Sequence, residues 1–334
     1  NTTGNSNTAV GYGALDANTT SSGNTAVGTS SLGANTTGNN NTAVGTSSLR
    51  VCTTGDRNTS IGKNSCYTLT TGEKNTVLGY QALYHSTTAS SCVAIGDHAL
   101  ANNTTGASNT ATGEACLLSN TTGASNSAVG AAALDANTTG AYNCAFGYAA
   151  LSANTTANNN NAFGDQALLA NTTGSENSAF GRYALTTCTT GHNNNAMGYA
   201  ALRMLTTGVY NVVIGNYAGD AITTGTNNTV VGHNALSANT TASYNVAMGY
   251  AALDANTTGA NNTGIGYEAL GGNTTADSNT GVGAYALYSN TTGANNVALG
   301  QGALQSNTTA SNNTAIGKNA LVLNTIGANN VAVG

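Results

Sequence analysis

The sequence predicts a repeat solenoid of about twenty 17-residue rungs, each with a short parallel β-strand and a short helical turn. Three observations carry this. Glycine recurs at every seventeenth residue from Gly11 to Gly334, twenty times without a slip. A fixed period of that size marks units too small to bury a core alone, which must stack on their neighbours. Leu and Asn keep phase with the glycine, whereas the sparse charge and the abundant Asn, Thr, Gly and Ala would alone suggest disorder. Finally, every charged residue falls on five of the seventeen positions, and those five mark the solvent face.

Each unit is counted from 1, just after one glycine, to 17 at the next. The consensus is Tyr-x-Ala-Leu-x-Ala-Asn-Thr-Thr-Gly-x-x-Asn-Thr-Ala-Val-Gly, and the charged positions are 1, 2, 5, 11 and 12. Positions 1, 2 and 5 are wet while 3, 4, 7 and 8 are restricted. Period-two alternation does not give that split, and a helical turn over positions 1–7 does. Ala and Leu at its centre favour helix, and glycines at 17 and 10 bound it. With one or two turns, such an α- or 3-10 segment depends on packing for its stability.

Positions 13–16 predict the strand, with β-branched residues recurring at 14 and 16. Its other face carries Asn, Ala and Gly at 13, 15 and 17. Both faces are constrained, so a cover is expected on each: the helical turn of the same rung, and a second chain or neighbouring turn.

Substitutions indicate direct stacking of equivalent positions. The three phenylalanines, Phe146, Phe163 and Phe180, occupy position 16 of consecutive units. Position 7 is Asn in 14 of 20 units, and its exceptions form two consecutive triplets: Cys52, Leu69, Ser86 and Cys188, Leu205, Ile222. The expected core stack therefore joins those phenylalanines to the position-4 leucines, Leu151, Leu168 and Leu185 among them. Strands stack at about 4.8 Å, whereas helices pack at about 8–10 Å. A helix in every rung should therefore impose curvature or tighten to a 3-10 turn.

Two asparagine ladders are expected, through Asn18, Asn35, Asn137 and Asn256 at position 7 and Asn24, Asn41, Asn143 and Asn262 at position 13. Asn-Thr-Thr is also an N-glycosylation acceptor, but five of the six replacements at position 7 are Leu, Ile or Cys, which prefer burial. Threonine at position 8 never changes. It predicts hydroxyl-to-backbone bonds or, as the alternative, O-linked sugar at residues such as Thr19, Thr36, Thr138 and Thr257. The six cysteines never stack in adjacent rungs and read as small core fillers, not as a metal or disulfide framework. The four histidines occupy four different positions, and no acid, base or nucleophile recurs, so neither an enzyme nor a cofactor is expected.

The net charge is −5 with no basic patch, which argues against a nucleic-acid partner. No apolar run reaches the roughly 18 residues of a membrane span. Neither end carries an atypical repeat, so residues 1–334 are expected to be one continuous array, a window of a longer fibre without caps. All fifteen tyrosines lie at positions 1, 2, 5 or 12. The position-1 set, Tyr12, Tyr80, Tyr148, Tyr199, Tyr250 and Tyr267, suits lateral self-association, homotrimers included, or stacking on sugar rings.

The segments Ser91-Cys92-Val93-Ala94-Ile95-Gly96 and Asn313-Thr314-Ala315-Ile316-Gly317 resemble the head repeats of trimeric autotransporter adhesins. The longer Asn-Thr-Ala-Val-Gly-Tyr-x-Ala-Leu pattern is similar to repeats of phage tail-fibre-like proteins and covers the whole chain. The first resemblance implies an all-β left-handed roll, assembled as trimers on a bacterial surface, as the alternative fold. Together they imply an extracellular fibre or filament shaft, on a cell surface or virion, or an adhesin or host-recognition fibre that binds surface glycans.

Overall fold

The computed structural model describes all 334 residues, which fall into two compact units, Asn1–Gln166 and Ala167–Gly334. Each is a parallel β-solenoid with one three-residue strand per rung. The first runs from β1 (Thr8–Val10) to β10 (Asn161–Phe163), the second from β11 (Ser178–Phe180) to β20 (Val331–Val333). Within each unit a strand pairs with the same three positions of the next rung. Thr25, Ala26 and Val27 lie opposite Thr42, Ala43 and Val44 in the first, and Thr263, Gly264 and Ile265 opposite Thr280, Gly281 and Val282 in the second. Direct stacking therefore holds. The strand is one residue shorter than expected, because position 13 leads into it.

The expected helix does not form. Positions 1–7 are linked turns in which the backbone hand alternates: φ is +50° to +65° at position 2 and +49° to +55° at position 4. A helix needs an uninterrupted right-handed run. The reason is spacing, since a rung has about 4.8 Å along the stack and a helix with its side chains is about 10 Å across. The N–H groups of positions 2, 4 and 6 consequently leave the rung, as Leu32 N–H donates to the Ser48 carbonyl of the next rung at 3.0 Å, while those of positions 3 and 7 close local turns. The all-β alternative describes these units.

A leucine in the left-handed region costs roughly 1–2 kcal/mol. Complete burial of that side chain returns about 1.5–3 kcal/mol, so burial wins by a small margin. Leu151, Leu168 and Leu185 are all fully buried. Only two rungs lack leucine at position 4, at Cys66 and Gly219. In both, position 7 of the same rung is enlarged, to Leu69 and to Ile222. A Cβ on Gly219 would lie 3.0 Å from Ile222 Cδ1. In these two rungs the larger position-7 side chain takes up room that position 4 leaves, whereas Leu202 and Leu205 are both full-sized and buried in a single rung.

The strand faces opposite to expectation. Position 15 is the inner residue: Ala145, Ala162 and Ala179 are 0% exposed. Position 16 points outward, with Phe146 37% and Phe180 38% exposed and Phe163 half-buried. The phenylalanines therefore do not belong to the core stack. Phe146 and Phe163 do stack, with centroids 4.9 Å apart and planes 4° from parallel, on the outer side of the sheet. The interior is too narrow for them. Position 15 abuts the leucine of its own rung, and a Cβ on Gly264 would already come within 3.2 Å of Leu253 Cγ.

The invariant glycine has two independent causes. Its φ lies between +122° and +148° at every position 17, a region closed to residues with a Cβ. A Cβ on Gly147 would also sit 2.5 Å from the Gly164 carbonyl oxygen of the next rung. Position 10 has the close approach but no positive φ, and it admits Ala89 and Ala157.

Candidate interaction surface

Hydrogen bonding inside the solenoid decides which residues remain for the outside. The asparagine of position 13 substitutes for main chain. Position 12 is left-handed, with φ of +57° to +62° at its non-glycine residues. There the carbonyl ladder gives way to side chains. Asn41 N–H donates to Asn24 Oδ1 of the rung before at 2.9 Å, and Asn58 N–H donates to Asn41 Oδ1 at 2.9 Å. Nδ2 donates forward to the position-10 carbonyl of the next rung, from Asn24 to Gly38 at 2.9 Å and from Asn41 to Gly55 at 2.7 Å. Asn143 and Asn262 repeat the pattern, at 2.9 Å to Ala157 and 2.8 Å to Ala276.

The asparagine of position 7 is bonded to its own column. Asn137 Nδ2 donates to Asn120 Oδ1 at 2.8 Å and to the Gly140 carbonyl at 3.0 Å, and Asn126 Nδ2 reaches the same carbonyl at 2.9 Å. Asn256 Nδ2 donates to Gly259, and Asn256 Oδ1 accepts from Asn273 at 2.9 Å. Asn18 Nδ2 reaches the Ser21 carbonyl at 3.3 Å. Both columns therefore clasp the position-10 carbonyl, an acceptor buried away from water that would otherwise be undersatisfied. Where a run of asparagines stops, its last acceptor is stranded. Asn35, whose next rung carries Cys52, keeps its Nδ2 bond to Gly38 at 3.0 Å but has no partner at Oδ1. Asn18, Asn35, Asn137 and Asn256 are at most 2% exposed. That burial closes them to N-linked sugar.

The threonine of repeat position 8 donates twice to one acceptor. The Thr36 hydroxyl reaches the Thr53 carbonyl at 3.1 Å, and Thr36 N–H reaches the same oxygen at 2.9 Å. The Thr19, Thr138 and Thr257 hydroxyls make the same bond at 3.1, 3.0 and 3.0 Å. An O-linked sugar would remove the proton that each of these bonds uses.

All six cysteines are free, and five are buried. Desolvation pushes the thiols up, to about 11 at Cys52 and about 12 at Cys116 and Cys188. Cys92, alone in the position-13 column, imitates asparagine: its sulfur donates to the Gly106 carbonyl at 3.4 Å and accepts from Asn109 N–H. Thiols held this high are poor nucleophiles and poor metal ligands at neutral pH. No group of three or more His, Cys, Asp or Glu side chains gathers in a metal-holding arrangement. No helix is long and apolar enough to cross a membrane.

Two surfaces remain. The outward rows at positions 14 and 16 contain no charged residue in any of the twenty rungs. Exposed members include Leu78 at 48% in the first unit and Met197 at 51% and Ile214 at 41% in the second. Charge was legible there; outward orientation was not, because a position-16 row of Val, Ile, Leu and Phe reads as core. Beside the sheet runs the tyrosine edge, where Tyr12 is 86%, Tyr148 60%, Tyr250 48%, Tyr267 45%, Tyr80 44% and Tyr199 37% exposed. Many of these rings pack against one another, more often edge to face than stacked. Tyr199 meets Tyr217 at 5.2 Å, Tyr80 meets His98 at 5.5 Å, and Tyr250 stacks on Tyr267 at 5.3 Å. Near the amino-terminal end, an open cleft of about 290 Å³ lies between Asp16 and Arg50, where Gly33 leaves a gap.

No family model and no curated protein matches this chain.

Proposed function

We propose that the chain is a structural module of an extracellular fibre or filament shaft, with stacked rungs giving length and the outward sheet face giving lateral association with further copies. The observation that carries this reading is the combination of exposure and absent charge along positions 14 and 16. Ten rungs at about 4.8 Å, with two outward side chains per strand, give each unit a face of roughly 500 Å². Position 16 lays an apolar row along that face beside a position-14 row of mostly Thr, Ser and Asn, and an uncharged strip with an exposed apolar row suits association. Two such faces in contact approach the area buried by small stable interfaces.

Sedimentation velocity over a concentration series tests it, comparing the native chain with Met248→Lys/Ile265→Lys. Both side chains point outward, at 39% and 36% exposure. The native chain should self-associate, and the lysine variant, with the second unit's face disrupted, should associate more weakly with an unchanged circular dichroism spectrum. A native chain that remains monomeric at high concentration, or a variant that associates equally well, sinks the proposal. The glycan-binding reading draws support from the most open rings, Tyr12 and Tyr148. It has less from Tyr250 and Tyr267, whose facing surfaces cover each other.

A further inference from the structure

Aromatic side chains form a continuous file along one edge of the second unit. The Arg182 guanidinium lies 4.5 Å from the Tyr183 ring centre. From Tyr183 the rings follow through Tyr199, Tyr217, His233, Tyr250, Tyr267 and Tyr285 to Tyr288, with neighbouring centroids 5.2 to 6.3 Å apart. Most tyrosine pairs in this file meet edge to face. Tyr250 and Tyr267 differ: their planes are 9° from parallel at 5.3 Å, and both rings are nearly half exposed. The first unit holds a comparable parallel pair, Tyr67 and Tyr84, at 5.2 Å and 14°.

The two pairs have opposite electrostatic surroundings. Arg50 donates a hydrogen bond to the Tyr67 hydroxyl oxygen, and its guanidinium lies 5.4 Å from that ring. Tyr267 instead faces a carboxylate. Interaction with the adjacent Glu268 carboxylate pushes the Tyr267 phenol up to about 12, which leaves a proton acceptor beside it.

We propose that Tyr250 and Tyr267 are a site of oxidative coupling, which a peroxide-driven one-electron oxidant converts to a dityrosine staple between adjacent rungs. Each phenol loses one electron and its hydroxyl proton, Tyr267 to the Glu268 carboxylate and Tyr250 to water. The unpaired spin spreads to the ring carbons next to the oxygen-bearing carbon, in orbitals perpendicular to the ring plane. Parallel rings aim those lobes at each other. A carbon–carbon bond forms between the two rings, and the hydrogen on each coupled carbon returns to the phenol oxygen. Two tyrosines thus lose two electrons and two protons, and one hydrogen peroxide takes them up as two waters. At Tyr67 the guanidinium opposes removal of an electron, so that pair couples more slowly.

The test exposes the full chain, dilute enough to disfavour links between molecules, to a haem peroxidase and hydrogen peroxide. Thermolysin digestion and mass spectrometry then locate linked peptides lighter by two hydrogen atoms. The Tyr250–Tyr267 link should form severalfold faster than Tyr67–Tyr84. Tyr250→Phe should abolish it with an unchanged circular dichroism spectrum, and Glu268→Gln should slow it severalfold. Coupling at Tyr67–Tyr84 that is as fast, dityrosine only between molecules, or an unaltered rate in Glu268→Gln would overturn the assignment.

Discussion

The two asparagine columns run side by side through each unit and clasp the same row of carbonyls, yet they have diverged differently. Position 13 departs from asparagine once in twenty rungs, and position 7 six times, in two blocks of three. Position 13 accepts a main-chain N–H from the adjacent rung, as Asn143 Oδ1 does from Asn160 at 3.0 Å. That N–H belongs to whatever residue follows and cannot be substituted away. Position 7 bonds asparagines of its own column and a position-10 carbonyl that position 13 also serves, so a consecutive set can turn apolar together while each carbonyl keeps its other donor, as the Gly72 carbonyl beside Leu69 keeps Asn58. A backbone debt persists, whereas a debt between side chains can be cancelled at both ends. Cys92 fits this logic, because a thiol can both accept from Asn109 and donate to Gly106.

The largest effect should come from position 13 itself. Asn143→Leu leaves the buried Asn160 N–H without an acceptor and takes one donor from the Ala157 carbonyl. It should cost about 3 kcal/mol in urea denaturation, and Asn143→Cys should recover part of that. A loss no greater than that of a mid-run position-7 substitution such as Asn120→Leu would erase the distinction between the columns.

A smaller and more diagnostic effect is expected in the apolar block. Leu69→Asn alone should cost about 2 kcal/mol, from cavity formation beside Cys66 and a buried amide without its column partners. Combining it with Cys52→Asn, Ser86→Asn and Cys66→Leu rebuilds a continuous ladder from Asn35 to Asn103 and restores the position-4 leucine. Most of the loss should then disappear, a non-additivity expected only among contacting residues. Strict additivity in the same denaturation assay would show that the ladder is not a cooperative unit.

The smallest effect concerns pH. Cys52 and Cys188 of the position-7 column have folded-state thiols raised by burial from about 9 to about 11 and about 12. A raised thiol means that the folded state holds its proton longer than the unfolded one. Stability is therefore intact below pH 9 and falls as pH climbs from there through the folded value. Each thiol should cost on the order of 1 kcal/mol by pH 10. Cys52→Ala/Cys188→Ala should flatten the alkaline limb of a stability–pH profile. An unchanged limb would place the two thiols outside the linkage.

Much of this arrangement was readable from substitutions. The phase-locked Gly, Leu and Asn gave the rungs, the triplets at position 7 gave direct stacking, and Leu or Ile replacing Asn placed that column inside. The pairing of Cys66 with Leu69 and of Gly219 with Ile222 was also present in the sequence, and it signals that in those rungs position 7 takes up room that position 4 leaves. Other features were misread. A wet–wet–dry–dry pattern over positions 1–5 fits a helix and fits equally a pair of turns of alternating hand. A β-branched or aromatic position 16 beside alanine at 15 suggests that the larger residue is inside, whereas the invariably small inner residue was the truer sign of a narrow interior.

Residue chemistry along the chain by itself determined the 17-residue period, the stacking of like on like, both asparagine ladders and the charge-bearing positions that meet solvent. Each of those is a property of one column of equivalent residues, and twenty copies of a column report on it. Only the tertiary structure decided the left-handed conformations at positions 2, 4 and 12 and the side of the strand that faces inward. Those depend on the distance to the next rung and on the room across the interior, which exist once the rungs are stacked and not in any single repeat.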